Sequence, residues 1–195
     1  FIGFDSNQDL KGIEHFSLLY SAVQNQTPLK ITYQDFKTIE PYTYLLYPYY
    51  LKQYNNRWFL FGLHKESMKS DYNVAIDRIF NVEVTNEIFI PNTEIDWQDY
   101  FSDMIGVSKP IESKIEEVIL HFNSLTGRYM ENKSIHETQK HKWLDENTFE
   151  VRIKVYLNYE LERLILSYGD SVKVISPIKL QDIIKQRLKA GFQLY

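Results

Sequence analysis

Residues 42–64 read YTYLLYPYYLKQY, then Asn55-Asn56, then RWFLFGLH, and this stretch decides the fold of the first half of the chain. The first segment is long and aromatic and is broken by Pro48, which implies an edge, a bend or a bulge in a strand. Asn55-Asn56 suits a tight turn, because Asn tolerates positive φ. Arg57–His64 follows at once and is apolar on both faces until His64. The reading is a hairpin, residues 49–54 against 58–63.

Working outward, Leu29, Ile31 and Tyr33 alternate with Lys30, Thr32 and Gln34, the period of a half-buried strand. A polar loop (residues 65–71) leads to residues 72–84, YNVAIDRIFNVEV, read as one further strand. Before all of these, residues 11–26 read as a helix through Ile13, Phe16, Leu19, Tyr20 and Val23, ended by Thr27 and Pro28. One helix followed by four or five closely spaced antiparallel strands favours a small, strongly bent barrel.

The pattern changes between Pro91 and Pro110, where a short helix is expected around Trp97–Met104 inside a connector. A second unit follows. Residues 115–122 read as a strand and 124–132 as a short helix. A hairpin turns around Asp145–Asn147, its second strand facing in with Phe149, Val151, Ile153, Val155 and Leu157, and out with Glu150, Arg152 and Lys154. An amphipathic helix runs through Leu161, Leu164, Ile165 and Tyr168 to Gly169 as C-cap. A short strand ends at Pro177, and a last helix carries Leu180, Ile183, Ile184, Arg187 and Leu188 on one stripe. The order β-α-β-β-α-β plus a terminal helix suggests a ferredoxin-like sandwich.

The 195 residues suffice for one medium domain or two small ones. Cysteine is absent, so disulfides, thiolate metal sites and cysteine nucleophiles are excluded. The net charge of −4 argues against a domain that coats duplex DNA by electrostatics alone. Six of the 15 tyrosines fall between Tyr42 and Tyr54, and most are expected on a half-buried sheet. The chain opens on Phe1 with neither a signal peptide nor a membrane-length apolar run, so the expectation is a cytoplasmic piece of a longer protein.

Catalytic patterns are missing. There is no GxSxG elbow, no Gly-rich phosphate loop and no HExxH. His136 and His141, read as strand residues an odd number apart, point to opposite faces and do not chelate together. His121 reads as a satisfied edge-strand residue, and Glu116, Glu117, Glu160 and Glu162 as solvated charges. The expectation is a non-enzymatic protein with no cofactor and no metal.

Four short motifs occur in order: Ile31-Thr32-Tyr33, Pro48-Tyr49-Tyr50-Leu51, Arg57-Trp58-Phe59-Leu60-Phe61-Gly62 and Ile76-Asp77-Arg78-Ile79. Together they resemble the WYL domain. Trp58-Phe59-Leu60 stands where that family has Trp-Tyr-Leu, and Asp77-Arg78-Ile79 matches its closing Asp-Arg-Ile. Phe101, Ile105-Gly106-Val107 and residues 172–177 are similar to the C-terminal extension domain that accompanies it. The resemblance implies an α+β chain: an Sm-like or SH3-like barrel (residues 27–92) after a linker helix (1–26), then a connector (93–114) and a ferredoxin-like domain (115–195). It further implies the ligand-sensing part of a bacterial transcriptional regulator, commonly a homodimer, with a helix-turn-helix DNA-binding domain preceding Phe1. The ligand implied is single-stranded DNA or a nucleotide-like molecule.

Residues able to stack a base and pair a phosphate on such a barrel are Tyr33, Tyr50, Lys52, His64 and Arg78. Each has a plainer role open to it. Tyr33 and Trp58 suit the core, Arg78 an ion pair with Asp35 or Asp77, Lys52 an ordinary exposed surface, and His64 the rim of a pocket. One departure stands out. Nucleic-acid-binding members carry arginines on the strand leading to Asp-Arg-Ile, and residues 71–76 here hold none, which favours a less charged ligand. The alternative is a purely structural module that dimerises and spaces the DNA-reading heads.

Overall fold

The computed structural model describes residues 11–111 and 114–195. The chain divides into two units, the first through Trp97 and the second from Gln98.

The first unit opens with a 3-10 turn, Ile13–His15, and helix α1 (Phe16–Gln24). This is shorter than the sequence suggests. Of the anticipated stripe, Leu19 is buried, whereas Ile13 and Tyr20 are half exposed. Five strands follow: β1 (Leu29–Tyr33), β2 (Tyr42–Tyr54), β3 (Arg57–His64), β4 (Lys69–Ala75) and β5 (Ile79–Val84). Asn55 and Asn56 both take positive φ, 49° and 56°, so the two-residue turn forms as read.

The sheet order is β4-β3-β2-β1-β5, antiparallel throughout. β2 changes partner along its length: residues 42–46 pair with β1, and residues 46–54 with β3. The register slips between Pro48 and Tyr50, where proline cannot donate to the ladder. The anticipated barrel is not closed, because no β4–β5 ladder exists among the described residues. Residues 72–84 are not one strand. A 3-10 turn, Ile76–Arg78, interrupts them and redirects the chain. β5 then buries only Ile79 and leaves Phe80 and Val84 exposed, so it finishes the sheet as an edge.

The slip at Pro48 exchanges the two faces of β2. Before it, Tyr44 and Leu46 join Ile31, Leu60 and Val74 in one core. Beyond it, Leu51 packs against that core, which puts Tyr50 and Lys52 on the opposite face. Gly62 of β3 makes the crossing possible, since a Cβ there would collide with the Tyr47 carbonyl.

Helix α2 (Trp97–Ser102) is shorter than the anticipated Trp97–Met104, and Met104 is buried beyond it. The second unit then runs β6 (Ile115–Asn123), α3 (Ser124–Asn132), β7 (Lys140–Trp143), β8 (Thr148–Tyr156), α4 (Tyr159–Ser167), β9 (Val172–Ser176) and α5 (Ile178–Phe192). Its sheet order is β7-β8-β6-β9, again antiparallel. Val118, Leu120 and Phe122 alternate with polar positions on β6, as do Phe149, Val151, Ile153 and Val155 on β8, and these residues make the core with Leu161, Ile165, Leu180 and Ile184. Asn123 and Asn158 cap α3 and α4, their side chains accepting from Thr126 N and Leu161 N at 2.9 Å each. Asn158 also donates to the Ile105 and Ser108 carbonyls, which ties the connector to α4 and lets a buried amide satisfy itself.

Three readings change in this unit. Glu150, placed outward by alternation, is buried, because His121, Arg152 and Lys142 close over its carboxylate at 3.1, 2.8 and 3.8 Å. His121 lies on a central strand and not an edge. His136 sits in the turn before β7 and not on a strand.

Candidate functional site

The strand registers gather aromatic side chains at one end of the first sheet. Tyr33, the last residue of β1, lies opposite Tyr42 at the start of β2. Tyr44 stands two residues on, on the same face. His64 ends β3, and Tyr72 enters from β4 opposite Gly62. The ring centroids are close: Tyr33–Tyr42 6.0 Å, Tyr42–Tyr44 5.8 Å, Tyr44–Tyr72 5.5 Å, Tyr44–His64 4.9 Å and His64–Tyr72 4.4 Å. Aromatic pairs at these spacings are individually attractive, so the cluster is a stable packing unit.

Arg78 reaches the same place from the 3-10 turn. Its guanidinium lies 3.7 Å from the centre of the Phe36 ring, which the β1–β2 loop presents. It also bonds the Tyr33 hydroxyl. Burial pushes that hydroxyl's pKa up, and the adjacent guanidinium opposes the rise. Among the described residues no ion pair joins Arg78 to Asp35 or Asp77. Asp77 accepts two bonds from Arg57 Nη2, both at 2.8 Å. Asp35 accepts from the Lys37 and Thr38 amides at 2.6 and 2.9 Å and from the Tyr42 hydroxyl at 3.4 Å.

His64 is largely buried. Its Nδ1 accepts from the Ser67 amide at 3.1 Å, which assigns the neutral ring's proton to Nε2, 3.5 Å from a Glu66 oxygen. Burial, reinforced by the neighbouring tyrosines, raises the Tyr42 and Tyr44 hydroxyls well above the ordinary tyrosine range. Nearly all side chains here are satisfied or stacked, with two exceptions: the Tyr44 hydroxyl and Arg78 Nε are buried without a hydrogen-bond partner. Orphaned groups of this kind cost free energy.

Of the five residues singled out in the sequence, the structure brings together Tyr33, His64 and Arg78. Tyr50 and Lys52 lie on the other face. Tyr50 stacks on Trp97, with centroids 5.5 Å apart and planes 11° from parallel, and burial lowers the pKa of Lys52. The sequence reading missed Tyr42, Tyr44, Tyr72 and Phe36. The parity of Tyr42 and Tyr44 with Tyr33 across an antiparallel pair was the signal available for two of them.

Residues 14–84 match the WYL domain, and residues 114–191 match the WCX domain. The chain is a WYL domain followed by a WCX domain. No curated protein matches it. Among solved structures it is similar to a CRISPR Cas-related protein at 12% identity and a TM-score of 0.53, covering 94% of this chain and 52% of that one. It is also similar to proteasome accessory factor B/C (PafBC) of Arthrobacter aurescens at 13% identity and a TM-score of 0.39, covering 99% of this chain and 28% of that one. At 12% identity the likeness to the CRISPR Cas-related protein concerns the fold alone, and the chain spans about half or less of either protein.

Within the WYL domain, the name-giving triplet is structural. Trp58 packs 4.7 Å from Phe16 of α1, Phe59 and Leu60 are buried, and Asp77 is held by Arg57. Among the described residues no group of three or more His, Asp or Glu side chains is placed to hold a metal, and no helix is long and apolar enough to cross a membrane.

Proposed function

We propose that this chain is the non-enzymatic, ligand-sensing region of a bacterial transcriptional regulator, and that the tyrosine cluster of the WYL domain is its ligand site. The observation that carries the reading is the pair of orphaned buried groups, the Tyr44 hydroxyl and Arg78 Nε, inside that cluster. A ligand that supplies their missing partners binds this conformation in preference to others, and only such differential affinity shifts a regulator between states. A nucleic-acid or nucleotide-like ligand suits a site made of stacking rings and one guanidinium. The state so selected would be passed to a separate helix-turn-helix domain that binds DNA, in a cytoplasmic homodimer.

Further structural assignments belong to the same proposal. The first sheet, bent at the Pro48 slip and turned at Ile76–Arg78, is an open version of the Sm-like or SH3-like barrel, spanning residues 27–92. The strand order β7-β8-β6-β9 supports a ferredoxin-like sandwich over 115–195.

The test is fluorescence anisotropy of a short labelled single-stranded DNA against this chain at low and physiological salt. Saturable binding that weakens with salt and is lost in Arg78→Ala supports the reading. Binding that survives Arg78→Ala places the ligand elsewhere and refutes it. The second reading, a purely structural dimerisation module, is favoured by the absence of arginine from residues 71–76. It predicts a dimer by light scattering and no ligand response.

A further inference from the structure

The β1–β2 loop places Phe36 at the edge of the tyrosine cluster with 84% of its surface exposed. The loop is internally fixed. Asp35 accepts from two amides within it, and Gln34 Nε2 donates across it to the Thr38 and Ile39 carbonyls at 3.2 and 2.7 Å. One face of the ring is taken by the Arg78 guanidinium, and the other faces solvent. An ordered loop that holds an aromatic ring on a cation, with its second face bare, is a stack waiting for a third planar layer.

The surrounding charges limit what that layer carries. The groups close to the cluster are the cations Arg78 and Lys37 and the carboxylates Asp35 and Glu66, and both carboxylates raise tyrosine hydroxyls in it. The local balance is near neutral. We propose, resting on the cluster's being the ligand site, that Phe36 is a stacking platform and that the ligand is a heterocyclic base bearing at most one phosphate, a nucleoside or nucleoside monophosphate. A run of phosphates would meet Asp35 and Glu66 with one guanidinium and the Lys37 ammonium to neutralise it.

The experiment is calorimetric titration of the chain with the four nucleoside monophosphates, their nucleosides, their triphosphates and a 12-nucleotide oligothymidylate. The expected result is that at least one monophosphate binds and its nucleoside binds within about tenfold of it. The logarithmic salt slope should be about −1 or shallower, the value for one phosphate contact. Phe36→Ala should weaken binding by about tenfold or more, the usual loss when a base-stacking ring is removed, while Phe36→Trp retains it. Phe36 is too exposed for either variant to unfold the domain, and amide exchange on β1 and β2 verifies this. Affinity that climbs from mono- to triphosphate, or that ignores Phe36→Ala, overturns the proposal. If only the oligothymidylate binds, and does so through Arg78, the base-only ligand is wrong while the site stands. If nothing binds, both fall.

Discussion

Tyr44→Phe removes one oxygen and leaves every ring contact of the cluster in place. The sign of its effect depends on whether that oxygen is bonded. Tyr44 is 4% exposed and its hydroxyl has no hydrogen-bond partner. A buried polar group left unsatisfied costs about 1–3 kcal/mol, whereas a bonded one contributes about 1 kcal/mol. Taking the lower end of the first range, Tyr44→Phe should stabilise the WYL domain by about 1 kcal/mol. The change slows global-opening hydrogen exchange roughly fivefold. The assay is native-state exchange at the β1 and β2 amides, such as Ile31 and Tyr44, which report that domain without mixing in the WCX domain. Urea unfolding should give the same answer as a midpoint raised by about 0.5 M at unchanged slope. Faster exchange at these amides would refute the reasoning, because it means the hydroxyl holds a bond in the free protein. The same variant should bind ligand more weakly, so that stability rises as affinity falls.

The remaining predictions concern the frame around the site. Gly62→Ala forces a methyl group into the Tyr47 carbonyl and should cost about 2–3 kcal/mol, read as a lower urea midpoint. Asp77→Asn breaks the doubly accepted Arg57 contact, which is about one third exposed on both sides, and should cost no more than about 1 kcal/mol by the same assay. Hydrogen bonds from Arg152, then from His121, hold the Glu150 carboxyl below its ordinary pKa. Its contribution is therefore full above the unfolded carboxylate range and is lost as pH falls through the depressed folded value. Protection of the β6 and β8 amides, taken relative to the intrinsic exchange rate at each pH, should fall in acid in the wild type, and the fall should shrink in Glu150→Gln.

The strands were legible in the sequence because alternation and turn chemistry agreed. Leu29, Ile31 and Tyr33 alternate cleanly, and Asn55-Asn56 names its own turn. What escaped was where strands stop. In residues 72–84 the apolar content runs on through Ile76 and Ile79, and period alone does not reveal a 3-10 turn between them. That turn leaves the sheet open and carries Arg78. Glu150 escaped for a related reason. Alternation says which face a side chain takes, but not that His121, Lys142 and Arg152, from β6, β7 and its own strand, will close over it there.

The candidate site was half legible, and the missing half has a definite cause. Tyr50 and Lys52 lie on the same aromatic segment as Tyr42 and Tyr44. The slip at Pro48 moves them to the opposite face, so proximity in sequence became opposition in space. Pro48 announced a bulge, but which face each flanking tyrosine took depended on the cross-strand register with β1 and β3. Two of the residues that converge, Tyr44 and Arg78, share a further property: each leaves a buried polar atom without a partner, against the rule kept elsewhere at Asn158. A folding constraint alone would favour phenylalanine at position 44. The retained hydroxyl, beside an incompletely satisfied guanidinium and an exposed Phe36 ring, therefore argues that the cluster is built to be completed by something outside the chain.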